Sequence, residues 1–126
     1  MWHNTPMNNI LDHWAFPYPP RKNQVTALNW LAEQDAKYLL VEMPVGSGKS
    51  NLGITYSHYL GNKKPQARGD SFILTPQRIL QEQYEESFLN IKDIDMASLY
   101  GKGNYQCVSK GASGVGACSS CLGWFN

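Results

Sequence analysis

Lys49 and Ser50 close the run Glu42-Met43-Pro44-Val45-Gly46-Ser47-Gly48-Lys49-Ser50, a spacing of glycines, ammonium and hydroxyl suited to gripping a polyphosphate. A glycine-rich turn leading into a helix aims successive backbone N–H groups at one point, and the positive end of the helix dipole adds to that anion site. Pro44, Val45, Gly46, Ser47 and Gly48 would form the cradle, with Lys49 reaching the terminal phosphates as a point charge. The Ser50 hydroxyl would offer Mg2+ the hard oxygen ligand it prefers. The pattern G-x-x-x-x-G-K-[ST] is met except at its first glycine, where Met43 stands. An ordinary Gly/Ser turn followed by a chance Lys-Ser is the bland alternative, and the flanking segments argue against it. Upstream lies the apolar run Tyr38-Leu39-Leu40-Val41; downstream, Leu52, Ile54, Tyr56, Tyr59 and Leu60 share a helical face.

The second group with chemical potential is Cys107, Cys118 and Cys121. An odd number of thiols crowded at one end does not suggest a secreted disulfide framework, and metal or cluster binding fits better. On the cysteines alone the alternatives are a zinc site completed by another ligand, a redox-active pair or buried thiols, and the spacing favours zinc.

The elements that must position these groups follow from periodicity. Val25, Leu28, Leu31 and Ala32 predict a helix over Arg21 to about Gln34, and Lys37 to Glu42 reads as a short buried strand. The helix after the phosphate loop is expected to end where Gly61-Asn62 can cap it, followed by a polar loop to Asp70. Ser71 to Thr75 is a second strand candidate. Thr75 is placed to cap a helix over Pro76 to Asn90, with Pro76 in the first turn, where its missing N–H costs nothing. Ile94 to Tyr100 is a third, weaker strand candidate. This order is a βαβ pattern, so the expected class is α/β, with a parallel sheet, right-handed crossovers and a ligand at the carboxyl ends of the strands. From Leu99 onward the composition changes: six of the eleven glycines, all three cysteines, Lys102 and Lys110 fall there, without an acidic residue. Two regions are therefore expected, 1–98 and 99–126.

At 126 residues, 42% hydrophobic and 17% charged, the chain suits one modest globular domain or part of one. A formal net charge of +1 gives no general argument for a nucleic-acid partner, so any basic groove must be local. The stretch Met1 to Pro20 holds His3, Asp12, His13 and four prolines, which fits neither a signal peptide nor a membrane span; a cytoplasmic protein is the expectation.

Glu-Met-Pro-x-Gly-x-Gly-Lys-Ser resembles motif I of the superfamily 2 helicases, and specifically their iron–sulfur branch, the XPD/DinG-like DNA helicases. In that branch a proline stands where this chain has Pro44, and methionine commonly replaces the first glycine. Arg21-Lys22-Asn23-Gln24 resembles the Q-motif, which implies that Gln24 reads adenine through an amide that both donates and accepts, with Phe16 or Tyr18 stacked on the base. Phe72 to Arg78 is similar to motif Ia, which implies contact with a strand backbone by the Thr75-Pro76 turn and Arg78; an N-cap and a solvated charge are the alternatives. Lys102-Gly103-Asn104-Tyr105-Gln106-Cys107 resembles the lead-in to the family's cluster domain, with Gly103 standing where the family has arginine.

The resemblance implies ATP and Mg2+ as cofactors. It also implies a four-iron four-sulfur cluster on Cys107, Cys118 and Cys121, with a fourth cysteine farther downstream. Single-stranded or forked duplex DNA is the implied partner, with Lys102 and Tyr105 contacting the strand by charge and stacking. No Asp-Glu-x-His motif, second motor domain or arginine finger follows Ser50. The chain therefore reads as the N-terminal portion of a RecA-like motor that binds nucleotide weakly and does not turn it over by itself. The competing readings are another phosphate-loop enzyme, such as a small-molecule kinase, and a zinc-binding module with a non-catalytic loop.

Overall fold

Pro19-Pro20 cannot continue a helix, and the chain emerges from them extended at Arg21 (φ −72°, ψ 157°) before winding into helix α1 (Lys22–Glu33). The start is fixed by Gln24, whose side-chain oxygen accepts the Arg21 backbone N–H at 2.8 Å, the return arm of a capping box. Gln24, Leu28 and Leu31 lie at positions i, i+4 and i+7 and form the buried face. The observed helix agrees with the sequence expectation.

The computed structural model describes residues 9–63, 71–101 and 104–105. It divides into two units: one holds the described residues up to Leu74 together with Ile91–Ile94, and the other holds Thr75–Asn90 and the described residues from Asp95 onward.

In the first unit, helix α2 (Lys49–Lys63) buries Asn51, Leu52, Ile54, Thr55 and Tyr59. Its face meets that of α1 and a 3-10 turn at Ile10–His13, where Asn9 caps the turn by accepting the Leu11 N–H at 3.1 Å. The core is Ile10, Leu28, Leu31, Leu52 and Tyr59, flanked by Leu39, Val41, Met43 and Tyr56. Helix α2 continues through Gly61-Asn62, where the sequence suggested a cap. The Asn62 amide donates back to the His58 carbonyl at 2.9 Å and lies 3.3 Å from the His13 ring, so it is used within the helix.

That end of α2 makes stability depend on pH. Burial first, and the neighbouring His13 second, hold His58 below its usual 6.5, against an opposing pull from Asp93. The unfolded chain therefore takes up this proton before the folded one does. His58's contribution is complete above about pH 6.5 and is lost as pH falls below it. Thermal melts should give a lower Tm at about pH 5.5 than at about pH 7.5, and His58→Gln should reduce that difference. An unchanged difference in the variant would refute the assignment.

The expected α/β class, a partial RecA-like parallel sheet, is not what forms: among the described residues there are three α-helices and no strand, while the cysteine-rich segment expected to begin an iron–sulfur insertion lies outside the described residues. A strand needs neighbours to take its N–H and C=O groups, and apolar patterning cannot supply them. The segment 37–42 runs alongside the helices with Leu39 and Val41 packed against the core, while Tyr38 (82% exposed) and Leu40 (93%) face solvent. Phe72 and Leu74 are likewise exposed at 85% and 90%. The third strand candidate is also absent; Ile94 instead closes a turn, its N–H donating to the Ile91 carbonyl at 3.0 Å.

In the second unit, helix α3 spans Arg78–Phe88, later in starting than the Pro76 the sequence suggested. Gln77 is the N-cap residue, extended at φ −128°, and the Thr75 hydroxyl donates to the Gln77 carbonyl at 3.4 Å in place of capping the helix. Among the described residues, no helix is long and apolar enough to cross a membrane.

Candidate phosphate-binding site

The loop between Val41 and α2 is shaped by its two internal glycines. Gly46 and Gly48 take φ values of 77° and 84°, the left-handed region that side chains disfavour. The Ser47 N–H donates to the Pro44 carbonyl at 3.2 Å, closing the turn between them. At Gly48 a second constraint applies, because a Cβ there would collide with the Gln24 amide nitrogen. At Gly46 nothing lies within 4 Å of the same position, so its requirement is conformational alone.

The loop's carbonyls are held by its own neighbours. Lys49 folds back so that its ammonium donates to the Met43 carbonyl at 2.8 Å and the Pro44 carbonyl at 3.1 Å. From the start of α1, Arg21 Nη1 donates to the Gly46 carbonyl at 2.9 Å, and Gln24 Nε2 to the Gly48 carbonyl at 3.2 Å. Ser47 Oγ is buried with no hydrogen-bond partner. A buried hydroxyl in that condition costs about 1–3 kcal/mol, a cost that an anionic oxygen placed in the loop would remove. Ser50 follows at the second position of α2 and presents the oxygen chemistry that Mg2+ accepts. The residues present thus fit a phosphate and its hard cation. Val45 is fully exposed at the tip, and Pro44 is exposed beside it.

Met43 has a packing role that accounts for its departure from glycine. Its side chain packs against the core and, with Leu31, Leu39, Val41, Lys49, Leu52, Gly53 and Tyr56, lines an apolar cavity of ≈ 270 Å³.

An aromatic arm reaches the first turn of α2. Trp14 Nε1 donates to the Tyr18 carbonyl at 2.6 Å, and Phe16 stacks on Tyr18 with centroids 5.8 Å apart and planes at 14°. Asn51, the residue after Ser50, donates from Nδ2 to the Tyr18 hydroxyl at 2.7 Å. Phe16 is buried at 7% exposure, whereas Tyr18 keeps 51%. Asn51 was not singled out from the sequence: an asparagine amid helical residues has no local signature when its partner lies 33 positions away.

Within the second unit the residues read as nucleic-acid contacts partly converge. Arg78 Nε pairs with Glu82 at 2.9 Å, its Nη1 donates to Asn104 Oδ1 at 2.8 Å, and its guanidinium lies 5.3 Å from the Tyr100 ring centroid. Tyr105 accepts the Tyr100 backbone N–H at 2.9 Å, and Gln81 donates to the Leu99 carbonyl at 2.9 Å. The Arg78–Glu82 pair is exposed, with side chains 64% and 46% accessible, so it contributes about 0–1 kcal/mol and would yield readily to a phosphate. Tyr100 donates to Glu85 at 2.6 Å, which pushes its phenol up to about 12. Glu85 is held below its ordinary value by hydrogen bonds from Ser98 and then Tyr100. Thr75 and Pro76 precede α3.

Lys102 and the three cysteines, Cys107, Cys118 and Cys121, lie outside the described residues. Among the described residues, no group of three or more His, Cys, Asp or Glu side chains could hold a metal ion.

No curated protein and no solved structure matches the chain. Residues 17–112, which take in Tyr18, the phosphate loop and the α3 network, match the family described as type III restriction enzyme, res subunit. The chain therefore belongs to that family, a helicase-like group within the phosphate-loop NTPases.

Proposed function

We propose that the chain binds ATP with Mg2+ at Pro44 to Ser50, as the nucleotide-gripping part of a helicase that couples hydrolysis to movement along single-stranded or forked DNA. The observation that carries the nucleotide reading is the loop itself: two left-handed glycines, a buried unpartnered Ser47 hydroxyl and a lysine ammonium parked on loop carbonyls. On phosphate binding, Lys49 exchanges the neutral carbonyls of Met43 and Pro44 for an anionic oxygen, a stronger charge-assisted bond. Ser50 contributes an oxygen to Mg2+, which neutralises charge on the phosphates when bound. Arg21 and Gln24 complete the site from α1. The residues that contact nucleic acid in this reading are Thr75, Pro76, Arg78, Lys102 and Tyr105, and region 1–98 is the motor portion.

The test is equilibrium binding of a fluorescent ATP analogue with Mg2+ to the 126-residue chain. Lys49→Ala should weaken it by at least about tenfold, the equivalent of one lost charge-assisted contact of about 1.4 kcal/mol. An unchanged affinity in the variant, or no binding by the wild type, overturns the reading. The iron–sulfur branch rests on the Asn104-Tyr105-x-Cys107 pattern with Cys118 and Cys121. Iron and sulfide in anaerobically purified full-length protein, with a visible absorption band, are expected; stoichiometric zinc without sulfide refutes that branch.

A further inference from the structure

Gln24 is 3% exposed, and both ends of its amide are used inside the protein: the oxygen accepts the Arg21 N–H, and the nitrogen donates to the Gly48 carbonyl. Arg21 reaches the same loop two residues earlier, at the Gly46 carbonyl. The C=O and N–H of one trans peptide point in opposite directions. Holding the Gly48 carbonyl toward α1 therefore turns the Lys49 N–H away from α1, and holding the Gly46 carbonyl likewise orients the peptide that leads into Ser47. The Gly48 carbonyl is thus shared between Gln24 and the Leu52 N–H of α2, which donates to it at 3.4 Å, and the start of α1 acts with α2 in directing the Lys49 N–H.

We infer that Arg21 and Gln24 are positioning residues that hold the phosphate loop in its anion-binding form, so that they govern affinity for the polyphosphate and not the choice of base. The inference rests on the nucleotide reading above and assigns Gln24 a role distinct from adenine recognition. Removing a residue that reads adenine lowers affinity for ATP alone, whereas removing one that shapes the loop lowers it for every ligand bearing the same phosphates. The buried amide, already satisfied by two backbone groups, is built for the second role.

The experiment measures Kd for ATP, GTP and inorganic tripolyphosphate, each with Mg2+, on the 126-residue chain and on Gln24→Ala and Arg21→Ala. Each variant should weaken all three ligands by the same factor, about three- to tenfold for one hydrogen bond worth roughly 1 kcal/mol, leaving the ATP-to-GTP ratio unchanged. Gln24→Glu, which keeps the acceptor for the Arg21 N–H and lacks the donor to Gly48, should reproduce the loss. Gln24→Ala unfolding the chain is answered by the Arg21→Ala arm, because Arg21 is exposed and its side chain lies outside the core. A loss confined to ATP with tripolyphosphate unaffected would overturn the inference in favour of base reading, as would no change in any ligand. A wild-type chain that binds none of the three would instead sink the nucleotide reading itself.

Discussion

Gly48→Ala should remove nucleotide binding while leaving α1 and α2 folded. Two separate costs meet at this position. A φ of 84° costs a residue with a Cβ about 1–2 kcal/mol, and the added methyl collides with the Gln24 amide nitrogen. The amide cannot step aside freely, because it is buried and also holds the Arg21 N–H. The loop must therefore give way, and with it the orientation of the Lys49 N–H. ATP affinity should fall at least about tenfold, and more than for Gly46→Ala, where only the conformational cost applies. The double variant Gln24→Ala/Gly48→Ala removes the collision but also the Gln24 hold on the Gly48 carbonyl, so its loss of affinity should be smaller than the sum of the losses in Gly48→Ala and in Gln24→Ala. Isotherms for these proteins, with far-UV circular dichroism as the check on folding, measure this. Equal losses at Gly46 and Gly48 would mean that the Gln24 approach has no energetic consequence.

The helices and the loop were legible in the sequence because their causes are local. Leu28 and Leu31 recur at helical spacing, and the Gly-x-Gly-Lys-Ser order states its own backbone requirement. What the sequence did not disclose is long-range. The Gln24 amide was read as facing a base, and its bond to Gly48 spans 24 positions that no periodicity connects. Asn51 and Tyr18 are similarly distant. The sheet failed as an expectation for a related reason. Tyr38-Leu39-Leu40-Val41 has the composition of a buried strand, but a ladder needs a partner backbone, and a half-packed extended segment has the same local pattern. Thr75-Pro76 carried helix-start signals that α3 does not use, since Gln77 is the N-cap residue and the helix begins at Arg78, a boundary shift that local signals do not resolve. Arg78 was weighed between a strand contact and a solvated charge, and in the structure its guanidinium is shared among Glu82, Asn104 and Tyr100.

Leu28→Ala should unfold a large share of the molecules. Leu28 has no exposed surface and sits, among the described residues, in a core cluster of five buried side chains with Ile10, Leu31, Leu52 and Tyr59. Replacing its isobutyl group with a methyl loses transfer free energy and leaves a cavity between α1 and α2, about 2–5 kcal/mol together. Domains of this kind hold about 5–15 kcal/mol in all, and one with so few fully buried side chains belongs at the low end. Leu40→Ala is the matched control: the residue type is the same, the side chain is 93% exposed, and the change should stay within about 0.5 kcal/mol. Urea melts followed by circular dichroism give both values. The contrast separates packing from composition, since both leucines occupy apolar runs and only the fold assigns one to the interior. Because the loop's carbonyls are held from the start of α1, the Leu28 variant should lose nucleotide affinity together with its helical signal. A comparable destabilisation from Leu40→Ala would show the extended segment buried on both faces and overturn the exposure found here.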